Sequence, residues 1–562
     1  MPLYAQWTPN TAVNTLVSDE TGEQSVTKLA LSPDGSTYYT WFDNRGGGYA
    51  VYIQKLNANG VPQFAAGGLL VSNNPQNSSL VDWELIADNN NNAIVTFTDI
   101  RAGGTINPYA YMISPTGTML WGANGVALSD SINSFQPNPK VVQTSDGNYV
   151  FFWRIGSGPQ KLALQKLNAA GVKQWGTSPI YWTSGTNENY DWPAIVPSDN
   201  GSVIVMFSGY TGSFISPANY RIYSQKVSSV GARVWNATQD TVYSLGRVSG
   251  FYTPRLFSDG NNGAIYCWHD DRNSVNLTTG YVQRKNSAGA ILFPVNGTAV
   301  SGNTTNNHFT PMAGYMPATG ETYVVWQEAN SGQTQWGFYA QKISSSGVRQ
   351  WGDGIPVQPL GTDQVVAYNV VAKDTAAVIS FSQSAPANTN IIKAAKIGTS
   401  GAYLWSGNIV IASSVSSSKI RLNHIIMPAS GMSVVSWQDK RLDNGGVYAQ
   451  NINWDGSFGL VGVVNTGIVA QNFELKQNYP NPFNPSTSIS YSIPQSGKVS
   501  LVIYNSLGSV VKELFSGSQN AGTYEAKFEA SGFASGIYFY SIKVTGSNGT
   551  DFSDTKKMML IK

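Results

Sequence analysis

Residues 338–351 read Phe-Tyr-Ala-Gln-Lys-Ile-Ser-Ser-Ser-Gly-Val-Arg-Gln-Trp, and this stretch decides the fold. Its first six residues have the composition of a short strand. A polar turn closed by Gly347 follows, and Trp351 opens another strand four residues on. The same design recurs at 49–56, 109–113, 162–167, 220–227, 281–285, 391–397 and 447–452. The turn glycines are Gly60, Gly117, Gly171, Gly231, Gly289, Gly347, Gly401 and Gly456. Four residues beyond the first seven lie Phe64, Trp121, Trp175, Trp235, Phe293, Trp351 and Trp405, whereas the eighth copy has no aromatic there.

Upstream of each segment lie an apolar strand, a turn with Asp, Asn or Gly, and a second apolar strand ending in an aromatic. The unit is therefore four-stranded and roughly 54–60 residues long, the signature of a propeller blade. The missing eighth aromatic has a candidate at the other end of the chain. Gln6-Trp7 precedes a segment that reads like the one after Leu120-Trp121. We therefore expect residues 6–17 to complete the last sheet and close a ring without a disulfide. The expected fold is all-β: an eight-bladed propeller over residues 6–465, with a seven-bladed ring plus one divergent unit as the alternative. The recurrent aromatics are read as packing between adjacent sheets.

Composition fits this reading. Of 562 residues, 41% are hydrophobic and 12% aromatic, too apolar for a disordered chain. Net charge is +2, so no nucleic-acid or membrane-surface field is implied. Nothing in the sequence is an apolar run long enough to span a membrane as a helix. Cys267 is the single cysteine and there are three histidines, His269, His308 and His424. No spacing among them suggests a metal site or a cofactor. Calcium at Asp88-Asn89-Asn90-Asn91-Asn92 is a weak candidate, because such turns ordinarily satisfy their own backbone. Residues 1–5 read as the remnant of a secretory signal peptide.

The loops between second and third strands carry a recurrent pattern: Trp41-Phe42-Asp43-Asn44-Arg45, Phe97-Thr98-Asp99-Ile100-Arg101, Trp268-His269-Asp270-Asp271-Arg272 and Trp437-Gln438-Asp439-Lys440-Arg441. An Asp two residues before an Arg, capping loop amides and pairing with the Arg or the neighbouring blade, is the favoured, structural role. The functional reading makes Asp43, Arg45, Asp99, Arg101, Asp271, Arg272, Asp439 and Arg441 a ligand-binding ring, with His269 and Asp271 as candidates for a general base.

Residues 466–472 read as a linker, and 473–562 as a small immunoglobulin-like antiparallel sandwich. Its lead-in, Asn478-Tyr479-Pro480-Asn481-Pro482-Phe483-Asn484-Pro485, is too proline-rich for a regular strand. Together with residues 504–511, 521–524, 535–542 and the terminal Lys556-Lys557-Met558-Met559-Leu560-Ile561-Lys562, it resembles the type A C-terminal sorting domain of type IX secretion. The resemblance implies that Asn478, Pro480, Asn481, Pro482, Gly508, Gly522, Tyr524, Gly536, Tyr538, Lys556 and Lys557 belong to the sorting signal. It also implies export through the periplasm to the cell surface or medium. The partners it implies are an outer-membrane translocon, a surface sorting protease and surface lipopolysaccharide.

For the repeat domain the sequence favours a non-catalytic binding or adhesion module for glycan or protein. The alternatives are a polysaccharide- or peptide-cleaving hydrolase using the loop carboxylates, and a structural subunit of an extracellular assembly.

Overall fold

The computed structural model describes residues 7–76, 81–184, 187–213, 217–246, 253–274, 277–385, 389–443, 445–459, 463–465, 470, 472–495, 497–519, 521–530, 532–546 and 551–561. Residues 1–5 and most of 466–472 lie outside them. The chain divides into two compact units, Met1–Gly459 and Leu460–Lys562. Among the described residues both are built from β-strands without helices.

The first unit is a series of four-stranded antiparallel sheets. Sheet 1 occupies 24–72, sheet 2 84–127, sheet 3 140–182, sheet 4 189–243, sheet 5 255–299, sheet 6 307–361 and sheet 7 365–417. Sheet 8 takes three strands from 419–452 and its fourth from Thr15–Ser18, which pairs antiparallel with Gly446–Ile452. The first strand of each sheet packs on the first strand of the next, and Lys419–Ile426 of sheet 8 packs on Gln24–Leu31 of sheet 1. The arrangement is propeller-like, with first strands innermost and fourth strands outermost. Second strands lie deep: Thr37–Asp43, Ala93–Asp99 and Ser433–Asp439 are buried throughout, because sheets cover both their faces.

Three repeated contacts hold each sheet to its turn and its neighbour. The third-strand glutamine bridges to the fourth strand. Gln341 Oε1 accepts from the Trp351 amide at 2.8 Å while its Nε2 donates to Gly352 O at 3.0 Å. Gln54, Gln225 and Gln283 do the same to Phe64, Trp235 and Phe293. The following cation reaches back to the first turn of its own sheet, as in Lys55–Asp34, Lys166–Asp146, Lys226–Asp199 and Arg284–Asp259. The fourth-strand aromatic lies against the turn glycine of the next sheet. A Cβ on Gly171 would come within 2.9 Å of Trp121, on Gly289 within 2.9 Å of Trp235, and on Gly456 within 2.8 Å of Trp405. These glycines also hold positive φ, at 77°, 86° and 88°, so both conformation and proximity exclude a side chain.

The N-terminal segment supplies the same contacts to sheets 8 and 1. Gln450 donates to Thr8 O at 2.7 Å, as its counterparts do to their own fourth strands. Trp7, 2% exposed, lies against Gly60. The strand expected over 6–17 is realised as Thr15–Ser18, with residues 7–14 running as turns.

The second unit has two four-stranded sheets. One runs Val463–Asn465, Gly522–Glu529, Ser486–Ile493, Glu474–Leu475; the other runs Val510–Gln519, Gly497–Asn505, Gly536–Gly546, Asp551–Leu560. They share a core that includes Leu475, Phe483, Ile489, Leu501, Phe528, Tyr540, Ile542 and Met558. The expected boundary at 465 shifts to 459. Val463–Asn465 is an edge strand on Gly522–Glu529, which the low-complexity sequence around it concealed.

Candidate functional site

The loop motif closes on itself. Asp43 Oδ1 accepts from the Arg45 amide at 3.0 Å and Arg45 Nε at 2.9 Å; Oδ2 accepts from Trp41 Nε1 at 2.8 Å and Arg45 Nη2 at 2.5 Å. Arg45 then donates to Gly67 O and lies 4.2 Å from the Tyr52 ring centre. Burial pushes the Asp43 carboxyl up, but the hydrogen bonds from Arg45 and Trp41 outweigh it and hold the pKa below its ordinary value. Asp99 and Arg101 repeat the geometry, with Asn124 O as the distant acceptor and Tyr109 under the guanidinium. In sheet 8, Asp439 holds Arg441 at 2.6 Å, and Arg441 donates to Val13 O and Asn14 Oδ1 of the N-terminal segment.

Sheet 5 keeps the spacing of the motif, an Asp two residues before the Arg, and leaves the binding-ring candidate Asp271 outside it. The lock is Asp270 with Arg272, not Asp271: Asp270 takes the indole of Trp268 and the Arg272 amide and guanidinium, and Arg272 reaches Asn296 O. Asp271 stands half-buried beside it. Asp43, Asp99, Asp270 and Asp439 are each at most 1% exposed. Each set is enclosed in its own sheet, so these residues do not converge into a ligand-binding ring. Charge-assisted bonds in a water-poor loop favour this closure over contact with solvent.

His269 is buried, and its Nδ1 accepts from the Thr310 amide at 3.0 Å. Burial lowers its pKa to about 4, a poor setting for the expected general base near neutral pH. His308 and His424 are likewise buried, lowered by burial to about 4 and about 3. Cys267 is a fully buried core residue whose thiol pKa burial pushes up. The Asp88 carboxylate is engaged in its own turn. It accepts from the amides of Asn90 and Asn92, from Asn92 Nδ2 and from Tyr149 OH.

The site that the sequence reading missed lies on the innermost strands. In every sheet the second-strand residue just before the central aromatic pairs with one first-strand residue. These eight residues are Lys28, Glu84, Lys140, Ala194, Arg255, Met312, Asn369 and Asn423. Two positions earlier stand Val26, Asp82, Asn138, Trp192, Thr253, Thr310, Ala367 and Arg421. The register breaks in this earlier tier: Val26, Trp192, Thr310 and Arg421 sit within bulges at φ of 52°, 55°, 42° and 58°. Left-handed backbone at a non-glycine costs about 1–3 kcal/mol and, at a bulge, re-aims a side chain.

Asp82, Glu84, Asn138, Lys140, Trp192, Ala194, Thr253, Arg255 and Met312 line one cavity of ≈ 230 Å³. Asp82 sits between Lys28 at 2.7 Å and Lys140 at 2.5 Å, and Glu84 lies 3.5 Å from Lys140. Burial pushes the Asp82 carboxyl up, but the Lys140 and Lys28 ammonium groups outweigh it and hold the pKa well below the ordinary carboxylate value. The signal was present in the sequence as an offset of 12–14 residues before each second-strand aromatic. It falls on charged residues in strands whose other residues are largely apolar. A shallower depression of ≈ 790 Å³ beside Asp130 and Tyr181 has its carboxylate already bound by Ser178 and Tyr181.

In the second unit the lead-in is fixed by Asn478, 2% exposed. Its side-chain amide donates to Pro480 O and Thr487 Oγ1, and its backbone amide donates to Tyr540 OH. Asn481 accepts from the Met559 amide at 2.9 Å and donates to Lys557 O. Gly508 turns at a φ of 78°, Tyr524 stacks on Tyr491, and Gly522 and Gly536 open strands. Tyr538 is buried, whereas Lys556 is half-buried and Lys557 exposed on the last strand.

Residues 477–559 match the family described as "Secretion system C-terminal sorting domain". This unit marks the protein for type IX export to the cell surface or the extracellular space. Similar solved structures include a polysaccharide lyase, Uly1, at 11% identity and a TM-score of 0.41, covering 81% of this chain and 94% of that one. The extracellular domain of the putative hybrid two-component system BT3049 from Bacteroides thetaiotaomicron is 10% identical, TM-score 0.30, covering 95% and 72%. The WD40 domain of SCAP from fission yeast is 8% identical, TM-score 0.40, covering 78% and 93%. No curated protein matches the chain.

Proposed function

We propose that the exported chain is a non-catalytic binding module. In this reading the first unit is an eight-bladed propeller, the second an immunoglobulin-like sandwich read by the type IX translocon, and the ligand seat is the mouth of the central channel. One observation carries the proposal. The carboxylates of Asp43, Asp99, Asp270 and Asp439 and the three histidines are buried, while the inner strands present an open cavity lined by Trp192, Asn138, Lys140, Arg255, Asp82 and Glu84. An aromatic face beside a few convergent polar groups is a common composition of recognition sites.

The test uses the full chain with a panel of soluble polysaccharides and extracellular proteins. Binding is followed by calorimetry and cleavage by chain length and new chain ends. Saturable binding with unchanged ligand supports the module. Turnover of a bound polysaccharide or peptide overturns it.

A further inference from the structure

The charges of the two inner-strand tiers do not balance, and this names a ligand class. Across the two tiers the cations are Lys28, Lys140, Arg255 and Arg421 and the anions Asp82 and Glu84. Asp82 is shared by Lys28 and Lys140, and Glu84 lies beside Lys140, so both carboxylates are engaged within sheets 1–3. Arg255 and Arg421 are exposed, and neither guanidinium has a side-chain partner among the described residues. Arg255 lines the ≈ 230 Å³ cavity with Trp192, which is half-buried and held in a bulge at a φ of 55°. Arg421 takes the same tier as Trp192, at its own bulge in sheet 8.

We infer that the channel mouth binds an acidic saccharide, one bearing uronate carboxylates or sulfate esters. The inference rests on the binding-module reading above and deepens it. Arg255 supplies a planar fork that matches either anion with two parallel hydrogen bonds. Trp192 supplies an apolar face for a sugar ring. Asn138 and the Asp82–Lys140 pair offer acceptors and donors to hydroxyls. The cavity is below the roughly 300 Å³ of the smallest drug-sized pockets, so it fits about one ring of a chain that continues outside. Arg421, in the same tier at the start of sheet 8, adds charge that draws a polyanion without being needed for the first sugar.

The experiment is calorimetric titration of the full chain with an oligogalacturonate, a sulfated galactan oligosaccharide and a neutral gluco-oligosaccharide of equal length. Each is measured at low and high salt. We expect one or both acidic probes to bind and to weaken as salt rises, with the neutral probe at least tenfold weaker. Arg255→Gln should weaken acidic binding by about tenfold or more, as for loss of a charge-assisted pair. Trp192→Ala should weaken it comparably, and Trp192→Phe should restore most of the loss. Unchanged melting of each variant shows that the ring is intact, and Arg255→Lys provides a second, milder reading. Relative strength of the two acidic probes separates the carboxylate source from the sulfate source.

Absence of binding to both acidic probes, equal binding of the neutral one, or full affinity in Arg255→Gln overturns the inference. Saccharide binding that survives Arg255→Gln and Trp192→Ala sinks this site while leaving the binding module standing. Turnover of any probe sinks the module reading instead.

Discussion

Trp7 donates its indole N–H to Ala58 O at 2.9 Å and its backbone N–H to Asn59 O at 2.9 Å, so the start of the chain is bolted to the third-to-fourth turn of sheet 1. Trp121 makes the same indole bond to Ala169, Trp175 to Ser229, Trp235 to Ser287 and Trp405 to Trp454. Trp7 thus plays the part of an eighth fourth-strand aromatic.

Trp7→Ala should therefore loosen the ring as a whole. Loss of a buried indole costs about 3–5 kcal/mol. Urea unfolding should show a lower midpoint, and Trp7→Phe, which keeps the packing but not the hydrogen bond, should fall between. A midpoint unchanged by Trp7→Ala would mean that closure does not depend on this contact.

Turn glycines provide a paired comparison. Gly171 and Gly147 have φ of 77° and 78°, so alanine at either incurs a similar backbone penalty of about 1 kcal/mol. A Cβ at Gly171 meets the Trp121 ring at 2.9 Å, whereas at Gly147 it meets nothing within 4 Å. Gly171→Ala should be the more destabilising by about 1–3 kcal/mol, the range for overpacking. Equal melting temperatures for the two variants would remove the aromatic–glycine seam as a determinant.

Asp270 and Asp271 are adjacent and should behave oppositely. Asp270→Asn leaves the enclosed Arg272 cation short of its partner, which costs about 3–5 kcal/mol for a buried pair. Asp271→Asn, at a half-buried position outside the lock, should cost clearly less, about 1 kcal/mol. Thermal unfolding of both variants distinguishes them, and a reversed order would place Asp271, not Asp270, in the lock.

The three buried histidines set an acid limit. Their folded pKa values are lowered from 6.5 to about 4, 4 and 3 for His269, His308 and His424. Between about pH 6.5 and 4 the unfolded chain therefore binds more protons than the folded one. The stability that the neutral rings contribute is complete above pH 6.5 and is lost as pH falls through this window. Each adds a slope of about 1.4 kcal/mol per pH unit once the unfolded ring is protonated. Unfolding midpoints measured from pH 7 to pH 5 should decline, and His424→Gln should flatten the decline. A flat profile in the parent protein would contradict the burial of these rings.

Export depends on the fixed lead-in. Asn478→Ala removes the donor that ties Pro480 and Thr487 together inside the second unit. The variant should accumulate in the periplasm of a type IX-competent host, while Lys498→Ala, at an exposed position of a central strand, should be exported normally. Fractionation and immunoblotting read the outcome, and normal export of Asn478→Ala would show that the signal does not need this anchor.

The sequence by itself determined the four-strand unit, the seam of aromatics and glycines, the joining of first and last segments, and the sorting domain. All of these are local: a two-residue period, a glycine at a positive-φ turn and a proline-rich lead-in leave marks within a few neighbouring residues. Only the tertiary structure decided which charges are spent and which are presented. Asp43 and Asp439 look in sequence like candidates to meet a ligand, yet each is consumed by an Arg two residues away because the loop folds back into its own sheet. Lys28, Glu84, Lys140 and Arg255 lie far apart along the chain in separate, mostly apolar strands, and pairing register brings them to one level of the channel. Partner choice for a charge depends on distances between chain segments, and those distances exist only after the ring has closed.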